Sequence, residues 1–251
     1  VDLELRDPIL LCSWQGWPDA AESATKSVDE ILKQKDPIEI YSINSEEYYI
    51  YTDKRPHVSN PKPEKRKIDW PENKFSFIKT DNKNYLIIFQ GVEPDLYWKK
   101  YIKEFTSLIK FYDVKQVIMV GSWLDSGPHT RDPRISITAT RSELNKFLEG
   151  QKFAAPTYEG PAGITSAIGE ILDKNRISTI SIWGHTPHYL QVTHNPILSF
   201  AIMKKISDIV QQEKLKEENE DAYNEIRLQM HNRVIKKLRS LKEEWKLENI
   251  S

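Results

Sequence analysis

The sequence predicts an α/β domain organised on an open parallel sheet, and three observations lead there. Short apolar runs of strand length recur at 8–13, 85–90, 116–121 and 176–183, as in strands covered on both faces. Segments with apolar residues three and four apart lie between them and read as amphipathic helices. Four of the runs end in loops rich in Trp, His, Gly and Pro, where an open parallel sheet places its ligands.

In chain order, Pro8 to Ser13 is the first strand. The loop Trp14 to Asp19 follows, and Asp19 is placed to cap a helix carried by Ala20, Ala24, Val28, Ile31 and Leu32. A second strand alternates through 37–43. Residues 45–71 break the pattern with Tyr48, Tyr49, Tyr51, Arg55 and several prolines, and read as an irregular arm or lid. Strands at 73–80 and 85–90 flank a turn, and a helix over 96–112 uses Tyr97, Tyr101, Phe105, Leu108 and Ile109. The strand at 116–121 runs into Gly127 to Pro133, where two prolines favour extended backbone and would set His129 and Arg131 on one side. A strand at 134–139, a short helix at 141–148 and a helix at 162–174 come next, the last opened by Gly160, Pro161 and Gly163. Its bare amides form an anion site for which Glu159 would compete. A strand at 176–183 and a helix from Asn195-Pro196 to about 209 complete a core domain of 1–210. Residues 211–251 form one long amphipathic helical extension, with Tyr223, Ile226, Met230, Val234, Leu238, Leu241 and Trp245 in a narrow stripe.

The chain has 251 residues, a formal net charge of -1 and a single cysteine, Cys12. Balanced charge gives no nucleic-acid surface or polybasic membrane anchor, and one cysteine excludes an intrachain disulfide. No apolar run reaches membrane-span length. A cytoplasmic protein is expected. No G-x-G-x-x-G, G-x-x-x-x-G-K-S/T or G-x-S-x-G occurs, so neither a nucleotide loop nor a nucleophile elbow is present. His185 and His188 stand as H-x-x-H, but Pro187 lies between them and no cysteine assists, so no metal and no cofactor are expected. The catalytic residues, if any, stay unassigned.

An ordered set of short motifs carries a resemblance. They are Gly16-Trp17-Pro18-Asp19-Ala20, Arg55-Pro56, Trp70-Pro71, Gly91-Val92-Glu93-Pro94 with Trp98, Pro128-His129-Thr130-Arg131, Tyr158-Glu159-Gly160-Pro161-Ala162-Gly163, Pro187-His188-Tyr189 and Asn195-Pro196. Their order resembles the archaeal and bacterial branch of the proteasome assembly chaperone family. The resemblance implies a three-layer αβα sandwich similar to the phosphorylase/hydrolase-like fold, often a homotrimer, and a non-enzymatic assembly or docking role with proteasome α-subunits as partners. It makes Trp17, Asp19, Arg55, Glu93, Trp98, His129, Arg131, Glu159, Gly160, His188, Tyr189 and Asn195 the candidate ligand- or partner-binding residues. Docking relatives end in a hydrophobic residue, a tyrosine and one more. This chain ends Glu248-Asn249-Ile250-Ser251, so the expectation is that either docking uses another surface or this member does something else. The alternative is a small-molecule enzyme or binder at the edge around His129 and Arg131.

Overall fold

A computed structural model describes residues 8–62, 65–79, 85–140, 159–190 and 192–210. The elements are β1 (Ile9–Gln15), a 3-10 turn (Ala20–Glu22), α1 (Ser23–Lys33), β2 (Ile38–Ile43), β3 (His57–Lys62), β4 (Lys65–Asp69), β5 (Asn73–Lys79), β6 (Tyr85–Val92), α2 (Trp98–Phe111), β7 (Gln116–Asp125), β8 (Ile135–Ala139), α3 (Ile164–Lys174), β9 (Ser178–Pro187) and α4 (Pro196–Val210). The helices expected at 141–148 and beyond 210 lie outside the described residues.

Seven strands form one mixed sheet in the order β2-β5-β6-β1-β7-β9-β8. Its centre, β6-β1-β7-β9, is parallel, while β5, β2 and β8 pair antiparallel at the margins. Burial on both faces explains the unbroken apolar run of β1. Leu10, Cys12 and Trp14 pack towards Tyr101, Phe105, Ile109, Ile164 and Ile168 of α2 and α3. Leu11 and the β7 residues Ile118 and Val120 pack towards Val28, Ile31, Leu198, Ile202 and Met203 of α1 and α4. Helices therefore flank both faces of the sheet. No described helix is long and apolar enough to cross a membrane.

Four local expectations are corrected. The arm at 45–71 is not wholly irregular, because β3 and β4 form an antiparallel hairpin within it. β7 continues to Asp125 and β9 to Pro187, paired residue by residue from Gln116↔Ser178 to Asp125↔Pro187; the polar residues past each apolar run stay in the ladder because hydrogen bonding, not hydropathy, ends a strand. Arg131 N–H donates to the Pro128 carbonyl at 3.2 Å, so 128–131 is a turn and not an extended segment. Tyr97 leaves the helical face: its φ is 52° and it is exposed, which delays α2 to Trp98.

Gly121 is required by packing. A Cβ there would stand 2.5 Å from the Trp183 ring, which lies flat over the neighbouring strand and stacks on Trp123 at 5.2 Å.

Candidate functional site

The parallel strands deliver the loops after β1, β6, β7 and β9 to one edge, as the sequence predicts. Two buried carboxylates stitch that edge together. Asp19 Oδ1 accepts from the backbone N–H of Ala24 at 2.7 Å and from Ser122 Oγ at 3.2 Å, and Oδ2 accepts from Thr25 Oγ1. Asp19 thus caps α1, but from five residues away. Ala21 and Glu22 adopt left-handed φ values of 52° and 46° and push the helix start to Ser23. Burial raises the Asp19 carboxyl to about 6, against the lowering effect of its hydrogen-bond donors.

Glu93 fills the amide site at the start of α3 that the sequence offered to an anion or to Glu159. Its Oε1 accepts from Ile164 N–H at 2.9 Å and its Oε2 from Trp17 N–H at 3.2 Å. One side chain therefore ties the β1 and β6 loops to α3. Gly16 makes room with φ 118°, and a Cβ on it would come within 3.1 Å of the Glu93 Cβ. Lys54 latches the arm to the same loop through the Glu93 carbonyl and a 2.7 Å ion pair with Asp95.

The other predicted residues divide by exposure. Trp98 is partly buried, its indole donating to the Pro94 carbonyl at 2.7 Å. Asn195 is buried and caps α4, its Oδ1 accepting from Leu198 N–H at 3.3 Å. His129 packs against Tyr189, whose hydroxyl accepts from His129 N–H at 2.7 Å and lies 2.9 Å from Nδ1. Trp17, Arg55, Arg131, Glu159, Gly160, His188 and Tyr189 are exposed, and His188 N–H donates to the Asp125 carbonyl at 2.8 Å.

Sequence reasoning placed His185 in a loop at this edge but missed the polar line that it forms inside the sheet with Asp125 and Ser136. Asp125, His185 and Ser136 lie on the three adjacent strands β7, β9 and β8. His185 Nδ1 is 2.7 Å from Asp125 Oδ2, and its Nε2 is 2.8 Å from Ser136 Oγ. The Trp123 indole N–H also points at Nδ1, from 3.0 Å. Nδ1 cannot accept from Trp123 while donating to Asp125, and the shorter, charge-assisted carboxylate bond decides. Asp125 is held below the usual carboxylate range, first by that hydrogen bond. Burial lowers His185 against the pull of Asp125, leaving a neutral imidazole with its proton on Nδ1. A signal was present in Trp123-x-Asp125 and Trp183-x-His185, the same two-residue step at the ends of paired strands.

A cavity of about 530 Å³ lies at the outer corner of the edge, lined by Ser42 to Glu46, Tyr51, Trp70 and Glu72. Tyr51 and Trp70 meet there edge to face, with centroids 4.9 Å apart.

Helices on both faces of a mixed sheet, with motif-bearing loops gathered at the carboxyl edge, define an α/β protein of the class that the ordered motifs implied. The chain belongs to the PAC2 family, whose profile matches residues 13–233. Its fold is similar to that of a PAC2 family protein from Streptomyces avermitilis, with TM-score 0.81 and 23% identity over 90% of this chain and 95% of that one. A proteasome-assembly chaperone homologue from Mycobacterium tuberculosis gives TM-score 0.78 and 23% identity, over 90% of this chain and 94% of that one. The archaeal proteasome activator PbaB of Pyrococcus furiosus gives TM-score 0.70 and 15% identity, over 95% and 96% of the two chains. No curated protein sequence matches.

Proposed function

We propose that this chain is a proteasome-assembly-chaperone-like binding factor that engages proteasome α-subunits in the cytoplasm and works as a homo-oligomer, a trimer by the family's habit. Its αβα sandwich is, in this reading, of the phosphorylase/hydrolase-like kind. The observation that carries the proposal is the composition of the carboxyl edge. The acids Asp19 and Glu93 are turned inward onto backbone amides. Large apolar side chains face solvent instead: Trp17 is 61% exposed, Tyr97 67% and Leu124 62%, with Leu96 and Tyr189 also exposed. An apolar rim with Arg131 and His188 beside it has the chemistry of a protein-binding surface. The relatives described as a chaperone homologue and a proteasome activator suggest the partner.

Native mass spectrometry of the chain mixed with α-subunits of the same organism tests this. A defined mixed complex is expected, weakened about tenfold or more by Trp17→Ala with Leu124→Ala. An oligomer that ignores α-subunits at tens of micromolar would overturn the assignment.

The arm supplies the proposed contact between copies. Val58 and Ile68 pair across the β3–β4 hairpin, and both are more than half exposed. A two-stranded hairpin with an uncovered apolar pair is marginal alone, and a second copy of the chain is the proposed cover.

A further inference from the structure

Beyond partner binding, we infer that Ser136 is an activated nucleophile, with His185 as its general base and Asp125 as the residue that positions the base, and that it accepts acyl groups from esters or thioesters. The inference rests on geometry. Ser136 Oγ stands 2.8 Å from His185 Nε2, and His185 Nδ1 stands 2.7 Å from Asp125 Oδ2. Nucleophile, base and orienting acid thus form an unbroken hydrogen-bonded line, the relation that acyl transfer needs.

The line has one chemical direction. A carboxylate only accepts, so the imidazole proton sits on Nδ1 and Nε2 carries the lone pair facing the hydroxyl. The three residues come from three hydrogen-bonded strands, and His185 N–H donates to the Arg134 carbonyl at 3.0 Å, so the spacing is fixed by the sheet. Rigid placement is what a general base requires. Trp123 sets its ring edge to face against His185, centroids 5.0 Å apart, and shields the pair from water on that side. Ser136 belongs to β8, the marginal strand of the sheet, and Arg134, two residues before it, is exposed. Ser136 itself is buried, so access has to open without breaking the β8–β9 pairing that holds Ser136 against His185.

The step balances as an ordinary acyl transfer. Ser136 Oγ bonds to the acyl carbon while its proton passes to His185 Nε2. The bond to the leaving alcohol or thiol breaks, and that group takes the proton from Nε2. Water, deprotonated by the same nitrogen, then cleaves the seryl ester and regenerates the hydroxyl.

The test treats the full-length protein with a fluorophosphonate probe, reads the modified peptide by mass spectrometry, and repeats the reaction from pH 5 to pH 9. Labelling at Ser136 is expected, absent in Ser136→Ala and slowed about 100-fold or more in His185→Gln. Its rate should rise with pH through a midpoint below the usual imidazole range. Asp125→Asn should slow it while melting within a few degrees of the parent, which separates positioning from folding. Labelling elsewhere, no labelling after a day, or equal labelling in Ser136→Ala or His185→Gln would overturn the inference and leave the line as structural hydrogen bonding.

Discussion

Asp19 and Glu93 each carry several jobs on one carboxylate, and their substitution should be costly in different ways. Asp19 is buried with a carboxyl raised to about 6, whereas an unfolded aspartate titrates near 4. The folded state therefore holds a proton that the unfolded chain releases between those values. The contribution of this group to stability is full below about pH 4 and falls away as pH rises through about 6, by an amount on the order of 2–3 kcal/mol. Asp19→Asn should flatten that stretch of the curve of stability against pH, measured by urea unfolding. An unchanged slope would mean another group carries it. Glu93→Ala strands two donors, Ile164 N–H and Trp17 N–H, and should cost about 2–4 kcal/mol. Glu93→Gln keeps an acceptor for only one of them and should fall between.

Elements behave here as a latched set. The arm is anchored before its hairpin begins. Tyr48 and Tyr49 are buried in the core, and Asp95 and Leu96 donate their N–H groups to the Tyr48 carbonyl. Ile50 N–H returns a bond to Asp95 Oδ2 at 3.0 Å. The buried Asn73 joins this anchor to the core, accepting from the Tyr101 hydroxyl at 3.0 Å and from Val92 N–H at 3.2 Å. Lys54→Ala removes the ion pair to Asp95 and the bond to Glu93. It should raise proteolytic cleavage within 50–56 several-fold while moving the melting temperature by only a few degrees. Gly121→Ala acts on packing instead. The added methyl displaces the Trp183 ring from its stack on Trp123 and should destabilise by about 1–3 kcal/mol; near-ultraviolet circular dichroism would register the lost tryptophan stacking.

At the scale of the whole molecule, the hairpin and the carboxyl-edge loops are assigned different partners, and the two contacts have separate tests. Val58→Glu with Ile68→Glu places two like charges across one antiparallel pair. It should reduce the oligomer to smaller species by analytical ultracentrifugation without altering the fold. If mass is unchanged, the copies meet elsewhere. Substitutions at Trp17 and Leu124 should spare self-association and weaken only the α-subunit complex, because neither residue belongs to the β3–β4 hairpin. Loss of both together would merge the two surfaces into one.

The sequence alone determined the alternation of strands and helices, the strands it placed at 8–13, 37–43, 73–80 and 85–90 to within two residues at each end, and the gathering of four loops at one edge, because periodicity and punctuation are local properties of the chain. It also determined the family, through short motifs in fixed order. The tertiary structure alone decided what those motif residues do. Glu93 rather than Glu159 meets the start of α3 because the fold brings the β6 loop, distant in sequence, to set a carboxylate at hydrogen-bond range of Ile164 N–H. Ser136, His185 and Asp125 are separated by 11 to 60 positions in the sequence and share no local pattern. Only the pairing of β7, β9 and β8 sets them in line, since strand register depends on which chains of hydrogen bonds close and not on any one segment's composition.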